Sequence, residues 1–304
     1  MAEPYEGVAV SARGLTRTYG RAHALRDVDL DLAAGQVHGL LGRNGAGKST
    51  LMSIATGQEY ATAGEVRIFG EHPHENEGIL PKICFIRESQ QYLDDIRAVH
   101  AFRAAADAFP RWDWDLAERL IHEFQVPEKT KIKKMSHGQR SAVGVITGIA
   151  SRAELTLFDE PYVGLDPVAR SQFYRALLED YTEHPRTIVV SSHLIDEIAH
   201  LIENVVLIDH GQVMLHEAAD DIRERAVTLV GRDDAVTLIA GDREVLTREE
   251  MGRTVRVTVE RALSDAERRR AAELDVDVLP VGLQDLVVHL TTREQTSSGK
   301  ENGA

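Results

Sequence analysis

The residues with the clearest chemical meaning lie at 42–50 and 159–160. Gly42-Arg43-Asn44-Gly45-Ala46-Gly47-Lys48-Ser49-Thr50 follows the apolar run Gln36–Leu41 and precedes the apolar stretch Leu51–Thr56, which reads as a helix start. Gly-x-x-x-x-Gly-Lys-Ser is the P-loop pattern. Its glycines let backbone N–H groups turn inward around phosphate oxygens, and the following helix adds its positive N-terminal end. In such a loop Lys48 reaches the β- and γ-phosphates and Ser49 ligates Mg2+. Leu155–Phe158 is an apolar strand that ends on Asp159 and Glu160. Asp159 is placed to hold Mg2+, directly or through water, and Glu160 to polarise an attacking water. Two carboxylates at a buried strand tip need a cation to offset their charge.

Other elements must bring these places together. Val8–Ser11 and Leu30–Leu32 read as short strands around a polar turn, and Val66–Phe69 and Lys82–Ile86 as further strands. Between Ile96 and Lys134 the apolar residues fall at helical spacing (Phe102, Ala105, Ala106, Phe109; then Leu116, Leu120, Ile121, Phe124), which predicts a helical insert. A further helix begins at Ser136-His137-Gly138-Gln139 and runs through Val143, Ile146 and Ile149. Strands return at Leu155–Phe158, Ile188–Ser191 and Val205–Asp209, with helices at Pro167–Tyr181 and Leu194–Ile202. Asp166 before Pro167 is a helix start, with Asp at the N-cap and Pro at the first helical position. This alternation predicts an α/β fold with a largely parallel sheet.

Beyond about Asp220 the pattern resets. Ala226–Val230, Ala235–Ile239 and Thr254–Val259 alternate as half-buried strands. Leu263–Leu274 reads as a charged amphipathic helix, Val276–Pro280 as a strand and Leu283–Leu290 as a short helix. The expected organisation is a first domain over 1–219 with a helical subdomain over about 92–150, a small α+β accessory domain over 220–293, and a disordered tail over 294–304.

Composition excludes several classes. With 49 Asp and Glu against 35 Lys and Arg in 304 residues, the net charge is −14, a poor match for polyphosphate backbones, so no nucleic-acid partner is expected. An apolar share of 43% is enough for a core and too high for a disordered chain. The single cysteine, Cys84, rules out a disulfide framework and a multi-cysteine metal cluster, and fits a reducing cytoplasm. MAEPYEGVAV does not read as a signal peptide. The longest apolar runs, such as Val143–Ala150, are far short of the ~18 residues of a spanning helix.

Over about residues 8–215 the motifs, in their order, resemble those of the ATP-binding subunits of ABC transporters. Ser136-His137-Gly138-Gln139 is similar to the family's Ser-Gly-Gly-Gln signature. Gly164-Leu165-Asp166 resembles its D-loop, with Asp166 the acid, and Val190-Ser191-Ser192-His193 its switch segment, with His193 the γ-phosphate sensor. Tyr19, about 23 residues before the P-loop, stands where the family places an aromatic ring on adenine. The resemblance implies an ABC-type P-loop NTPase with a helical subdomain, hydrolysing ATP with Mg2+. ATP would meet Tyr19, Gly42, Asn44, Gly45, Ala46, Gly47, Lys48, Ser49 and Thr50 of one copy, and Ser136, His137, Gly138, Gln139 and Asp166 of another. Ser49 and Asp159 would hold the metal, and Glu160 and His193 would take part in catalysis.

The same resemblance implies a head-to-tail pair of this chain with itself or a homologous subunit. Each ATP would be sandwiched between Lys48 of one copy and Ser136 of the other. It further implies a separate transmembrane permease, which would hold the subunit at the inner face of the cell membrane. Stand-alone subunits of bacterial multidrug, bacteriocin and antibiotic-resistance exporters are more similar than importer subunits. Departures from the family pattern are visible. Arg43 stands where Pro is common, with its side chain expected to point outward, and His137 replaces the first signature glycine. Glu88 occupies the position of the usual Q-loop glutamine, with Gln90 two residues later as the alternative for contact with Mg2+ or the water.

Competing function classes are a soluble ABC ATPase acting on ribosomes or DNA, and a nucleotide-gated dimerisation switch. Ribosome-acting relatives usually carry two P-loop cassettes, whereas this chain has one. DNA-repair relatives insert a long coiled coil where only about ninety residues separate Gly47 from Ser136. The presence of Glu160 argues against a switch without hydrolysis.

Overall fold

A computed structural model describes residues 7–88, 90–193 and 195–286. Its chain contacts form two units, Met1–His193 with Leu201–His216, and Leu194–His200 with Glu217–Ala304.

In the first unit β1 (Val8–Tyr19) and β2 (Ala22–Ala33) are twelve residues each and form an antiparallel hairpin around Gly20-Arg21. Both run beyond the short segments that sequence alternation marks. Register shifts after Val8, Ala12, Leu15 and Arg17 break the period of two, so the pattern hides a strand that the ladder continues. β3 (Val37–Leu41) is buried throughout and leads into α1 (Lys48–Ala55). β4 (Ala63–Ile68) pairs with β1 to complete a three-stranded sheet in the order β2-β1-β4.

β5 (Ile83–Ile86) is followed by α2 (Ala98–Ala108), α3 (Trp114–Glu123) and α4 (His137–Ala150). Then come β6 (Leu155–Asp159), α5 (Pro167–Glu183), β7 (Thr187–Ser192), α6 (Ile195–Ile198), which belongs to the second unit, β8 (Asn204–Asp209) and β9 (Gln212–Ala218). The helix expected over Leu194–Ile202 is thus reduced to four residues. The second sheet has the order β5-β6-β7-β3-β8-β9, and β5/β6, β6/β7, β7/β3 and β3/β8 are parallel. This order sets the carboxyl ends of β6, β7 and β3 side by side. Asp159 pairs with Ser191 across β6/β7, and Leu41 with Ser192 across β3/β7. Crevices at the carboxyl ends of parallel strands are where such sheets bind ligands.

A buried ion network fastens the helical segment to this sheet. Arg186, at the start of β7 and fully buried, donates to Asp180 Oδ2 at 2.6 Å. Arg152 bonds Asp180 Oδ1 at 2.9 Å and Asp113 Oδ2 at 2.7 Å. Asp113 is the N-cap of α3 and accepts from the Leu116 N–H at 2.8 Å. Asp180 therefore bridges two guanidinium groups from different elements, and Asp113 supplies the second negative charge.

The second unit contains α7 (Ala219–Arg223), β10 (Ala226–Gly231), α8 (Asp233–Ala240), β11 (Val245–Met251), β12 (Thr254–Glu260), α9 (Asp265–Glu273) and β13 (Asp277–Pro280). The antiparallel sheet has the order β11-β12-β10-β13, a split β-α-β arrangement. Val227, Leu229, Val255, Val257 and Val259 pack with Val236 and Ile239 of α8 and Ala271 of α9.

Ala235–Ile239, expected as a strand, is helix. Its buried residues Ala235, Val236, Ile239 and Ala240 recur at helical spacing, with Asp233 and Asp234 in the first turn and Gly241 at the C-cap. The exposed edge strand β11 escapes sequence reading because VLTREEM buries no residue. Residues 283–286 are helical as expected. The rest of the expected Leu283–Leu290 helix and the tail over 294–304 lie outside the described residues.

Asp180→Ala leaves Arg186 as an uncompensated buried charge. It is expected to destabilise the protein by about 3–5 kcal/mol in equilibrium urea unfolding.

Candidate functional site

The loop after β3 is shaped by backbone that only glycine adopts. Gly42 has φ 150°, and a Cβ there would stand 2.2 Å from the Ile208 carbonyl oxygen. Gly47 has φ 113°, and a Cβ there would stand 2.5 Å from the Ala24 carbonyl oxygen of β2. Gly47 is also the N-cap of α1, so this helix has no capping side chain, and no acid lies in its first turn. Its leading N–H groups therefore face outward without a side-chain acceptor, as an anion site requires. Lys48 is 5% exposed and donates to the Gly42 carbonyl at 2.8 Å. Asn44, Gly45 and Ser49 are exposed, Thr50 is half-buried, and Ala46 is buried with its N–H donating to Arg43 O at 3.1 Å. Arg43 is exposed, in keeping with an outward-pointing side chain.

The tips of β6 and β7 meet this loop. Lys48 Nζ stands 3.3 Å from Glu160 Oε1, with both side chains buried. The Ser191 hydroxyl donates to Asp159 Oδ1 at 2.7 Å and accepts the Glu160 N–H at 2.9 Å. Glu160 itself has φ 49°, a left-handed conformation uncommon for a non-glycine residue. Its Oε2 lies 2.7 Å from His193 Nδ1 and accepts the Tyr162 hydroxyl. Burial and then the Glu160 carboxylate push the Tyr162 phenol up, so it is a neutral donor. Sequence reasoning missed Tyr162 and gave Ser191 no role beyond its place in Val190–His193. The pairing of Asp159 with Ser191 across β6 and β7 shows what Ser191 does, and nothing local marks Tyr162.

The signature segment forms a separate group. Ser136 caps α4 in a capping box: its hydroxyl accepts the Gln139 N–H at 3.2 Å, and Gln139 Oε1 accepts the Ser136 N–H at 3.1 Å. His137 lies against Gly164, where a Cβ would come within 1.7 Å of its Nδ1, and a Cβ on Gly138 would stand 2.7 Å from Gly164 O. Ser141 donates to Val163 O at 2.7 Å. The helix start is thus seated on the segment that precedes Asp166, which caps α5 by accepting the Ala169 N–H at 2.9 Å. Among the described residues no hydrogen bond or ion pair joins Ser136–Gln139 to Gly42–Thr50.

Tyr19 closes β1 as an exposed residue, its hydroxyl on Glu59 and the Arg17 guanidinium 4.5 Å from the centre of its ring. Glu88 and Gln90 are both exposed and line one cavity of about 460 Å3 with His137, Arg140 and Glu160. Gln90 Oε1 accepts the Arg87 N–H at 3.4 Å. Neither is hydrogen-bonded to Ser49 or Asp159.

The ABC transporter family model matches residues 25–163. The ABC transporter ATP-binding protein YtrB of Bacillus subtilis is 23% identical over 284 residues, covering 92% of this chain and 97% of that protein. The bacitracin transport ATP-binding protein BcrA of Bacillus licheniformis is 27% identical over 219 residues, covering 71% and 72%. A solved ATP binding subunit of an ABC transporter superposes with TM-score 0.63 at 24% identity, covering 71% of this chain and 92% of that one. The dimeric ATP-binding cassette MJ0796 bound to ADP and Pi superposes with TM-score 0.61 at 22% identity, covering 69% and 98%.

Gly47→Ala places a Cβ against β2 in a strained conformation. ATP binding measured by calorimetry is expected to weaken about 10- to 100-fold.

Proposed function

We propose that this chain, whose residues 25–163 match the ABC transporter family model, is an ATPase, and that two copies of it, or one copy and a homologous subunit, close head to tail around ATP and drive a separate membrane permease. The observation that carries this reading is the division of the site. Lys48, Asp159, Glu160 and His193 gather at one set of strand ends, while Ser136–Gln139, although its His137 shares a cavity wall with Glu160, makes no hydrogen bond or ion pair to Gly42–Thr50 among the described residues. A second copy supplies what each site lacks. Among the described residues no helix is long and apolar enough to cross a membrane, which fits a subunit that docks on a permease at the inner face of the membrane. The relatives named for bacitracin and lantibiotic transport favour an exporter. We read 1–219 as the cassette and 220–293 as an accessory domain.

In this reading the N–H groups at the head of α1 bind the phosphates, and Lys48 leaves Glu160 for the β- and γ-oxygens. Tyr19 offers its ring to adenine. The Ser49 hydroxyl and the Asp159 carboxylate are hard oxygen donors of the kind Mg2+ takes beside phosphate, so these residues fit the ion, which would offset phosphate charge. Glu160 turns to the water as general base, and His193 turns to the γ-phosphate. Either Glu88 or Gln90, from the cavity wall, contacts the water or the ion. Ser136, His137, Gly138 and Gln139 at the head of α4, with Asp166, close on the γ-phosphate of the other copy. ATP contributes to both faces and glues them, and hydrolysis removes the glue.

Lys48→Ala is expected to abolish most ATP turnover in a phosphate-release assay, and near wild-type turnover would contradict its role. Glu160→Gln is expected to keep ATP binding, slow hydrolysis about a hundredfold or more, and elute as an ATP-dependent dimer in size-exclusion chromatography. A variant that hydrolyses normally and stays monomeric with ATP sinks the reading.

A further inference from the structure

The Glu160 carboxylate is held by hydrogen bonds through one oxygen, Oε2, while Oε1 is buried without a hydrogen-bond partner among the described residues. Oε1 faces Lys48 at 3.3 Å. Oε2 lies 2.7 Å from His193 Nδ1 and takes the Tyr162 hydroxyl. Tyr162 is 1% exposed, and its oxygen also accepts the His193 N–H at 3.1 Å and the Ser192 hydroxyl at 3.2 Å. The Arg170 guanidinium stands 5.5 Å from the centre of its ring. The phenol donates to Glu160: the Ser192 hydroxyl and the His193 N–H are donors to its oxygen, and His193 Nδ1, 3.0 Å away, lies nearer Oε2, at 2.7 Å, so with its proton there it too donates to Glu160.

On the reading that Glu160 orients the attacking water, we propose that Tyr162 is the positioning residue that keeps this carboxylate aimed once nucleotide has taken its other partners. Lys48 and His193 are the groups that phosphate oxygens recruit, and both leave Glu160 when they turn to the γ-phosphate. The phenol is neutral and buried, so phosphate does not compete for it. Oε2 stays fixed on Tyr162, while Oε1, released by Lys48, becomes the free acceptor for the water proton. The same bond serves the resting chain, where Tyr162, His193 and Lys48 together compensate a buried charge. Tyr162 therefore separates two jobs of one carboxylate: one oxygen anchors and the other reacts.

The experiment compares wild type, Tyr162→Phe, Glu160→Gln and the double variant in steady-state ATP hydrolysis, with ATP affinity measured by calorimetry without magnesium. Phenylalanine keeps the buried ring and removes only the oxygen. Tyr162→Phe is expected to lower kcat about tenfold with KM and the magnesium-free affinity within about twofold of wild type. Adding it to Glu160→Gln is expected to cost nothing further, since the two residues act as one unit. A purely structural role would weaken magnesium-free binding and add its own loss to that of Glu160→Gln, and either result overturns the proposal. Wild-type kcat in Tyr162→Phe with Glu160→Gln impaired overturns the role of Tyr162 alone. Wild-type kcat in Glu160→Gln overturns the underlying reading and the proposal with it. Should Tyr162→Phe fail to fold, Ser192→Ala removes the hydroxyl that donates to the phenol oxygen. A fall in kcat of about threefold at unchanged KM then supports the role, and wild-type kcat overturns it.

Discussion

Lys48 and Glu160 are both buried and stand 3.3 Å apart. Taking either charge out of water alone costs on the order of several kcal/mol, and each offsets part of that cost for the other, beside the Gly42 carbonyl on Lys48 and Tyr162 and His193 on Glu160. The pair also tells what the loop is built to receive. The glycines leave α1 without a side-chain cap, and the lysine behind them is held by a backbone carbonyl and by a carboxylate on another strand. A polyphosphate offers the same lysine a stronger set of acceptors and offers the helix N–H groups the acceptors they lack. Exchange of one anion for another at Lys48 is therefore the event from which the rest of the proposed cycle follows, because it frees the general base at the moment phosphate arrives.

That exchange is possible only because strands distant in sequence share one edge. The order β6-β7-β3 sets Asp159 beside Ser191 and Leu41 beside Ser192, so the loop, the acids and His193 emerge together. The parallel pairing requires crossovers, and the longest of them carries α2, α3 and α4. The Asp113–Arg152–Asp180–Arg186 network ties the start of α3 to the end of α5 and the start of β7. The helix that bears the signature is thus anchored to the same sheet that bears the loop, at the end remote from Ser136, since the Asp113 N–H donates to Ala150 O.

Much of this was legible in the residues. A glycine loop between an apolar run and a helix, an apolar strand ending in two acids, and an Asp-Pro helix start each state their geometry locally. What was hidden is what depends on partners far along the chain. β1 and β2 run past their visible alternation because bulges shift the register, and that shift is a property of the pair. Ala235–Ile239 has apolar residues that suit either period, and Asp233, Asp234 and Gly241 decide for helix. Ser191 and Tyr162 are ordinary residues by sequence, and their hydrogen-bond partners lie thirty or more positions away, except for Glu160 beside Tyr162. Glu88 and Gln90 face the same cavity, so the fold narrows their role to one place without choosing between them.

The capping box at Ser136 sharpens how a second copy would use α4. The box already satisfies the Gln139 N–H and the Ser136 N–H, so the backbone donors left at the head of the helix are those of His137 and Gly138. Gly138 has no Cβ and sits against Gly164 O, which lets the backbone approach what lies in front of it. Ser136 is not lost to the cap. Its hydroxyl accepts from Gln139 and keeps its own proton, which a phosphate oxygen can take. The residue that starts the helix and the residue that meets the partner's nucleotide are then the same serine, with the acceptor half of the hydroxyl spent on folding and the donor half kept for binding. A signature segment that lacked its capping glutamine would leave the Ser136 N–H without its acceptor and loosen the box that sets the direction of this donor.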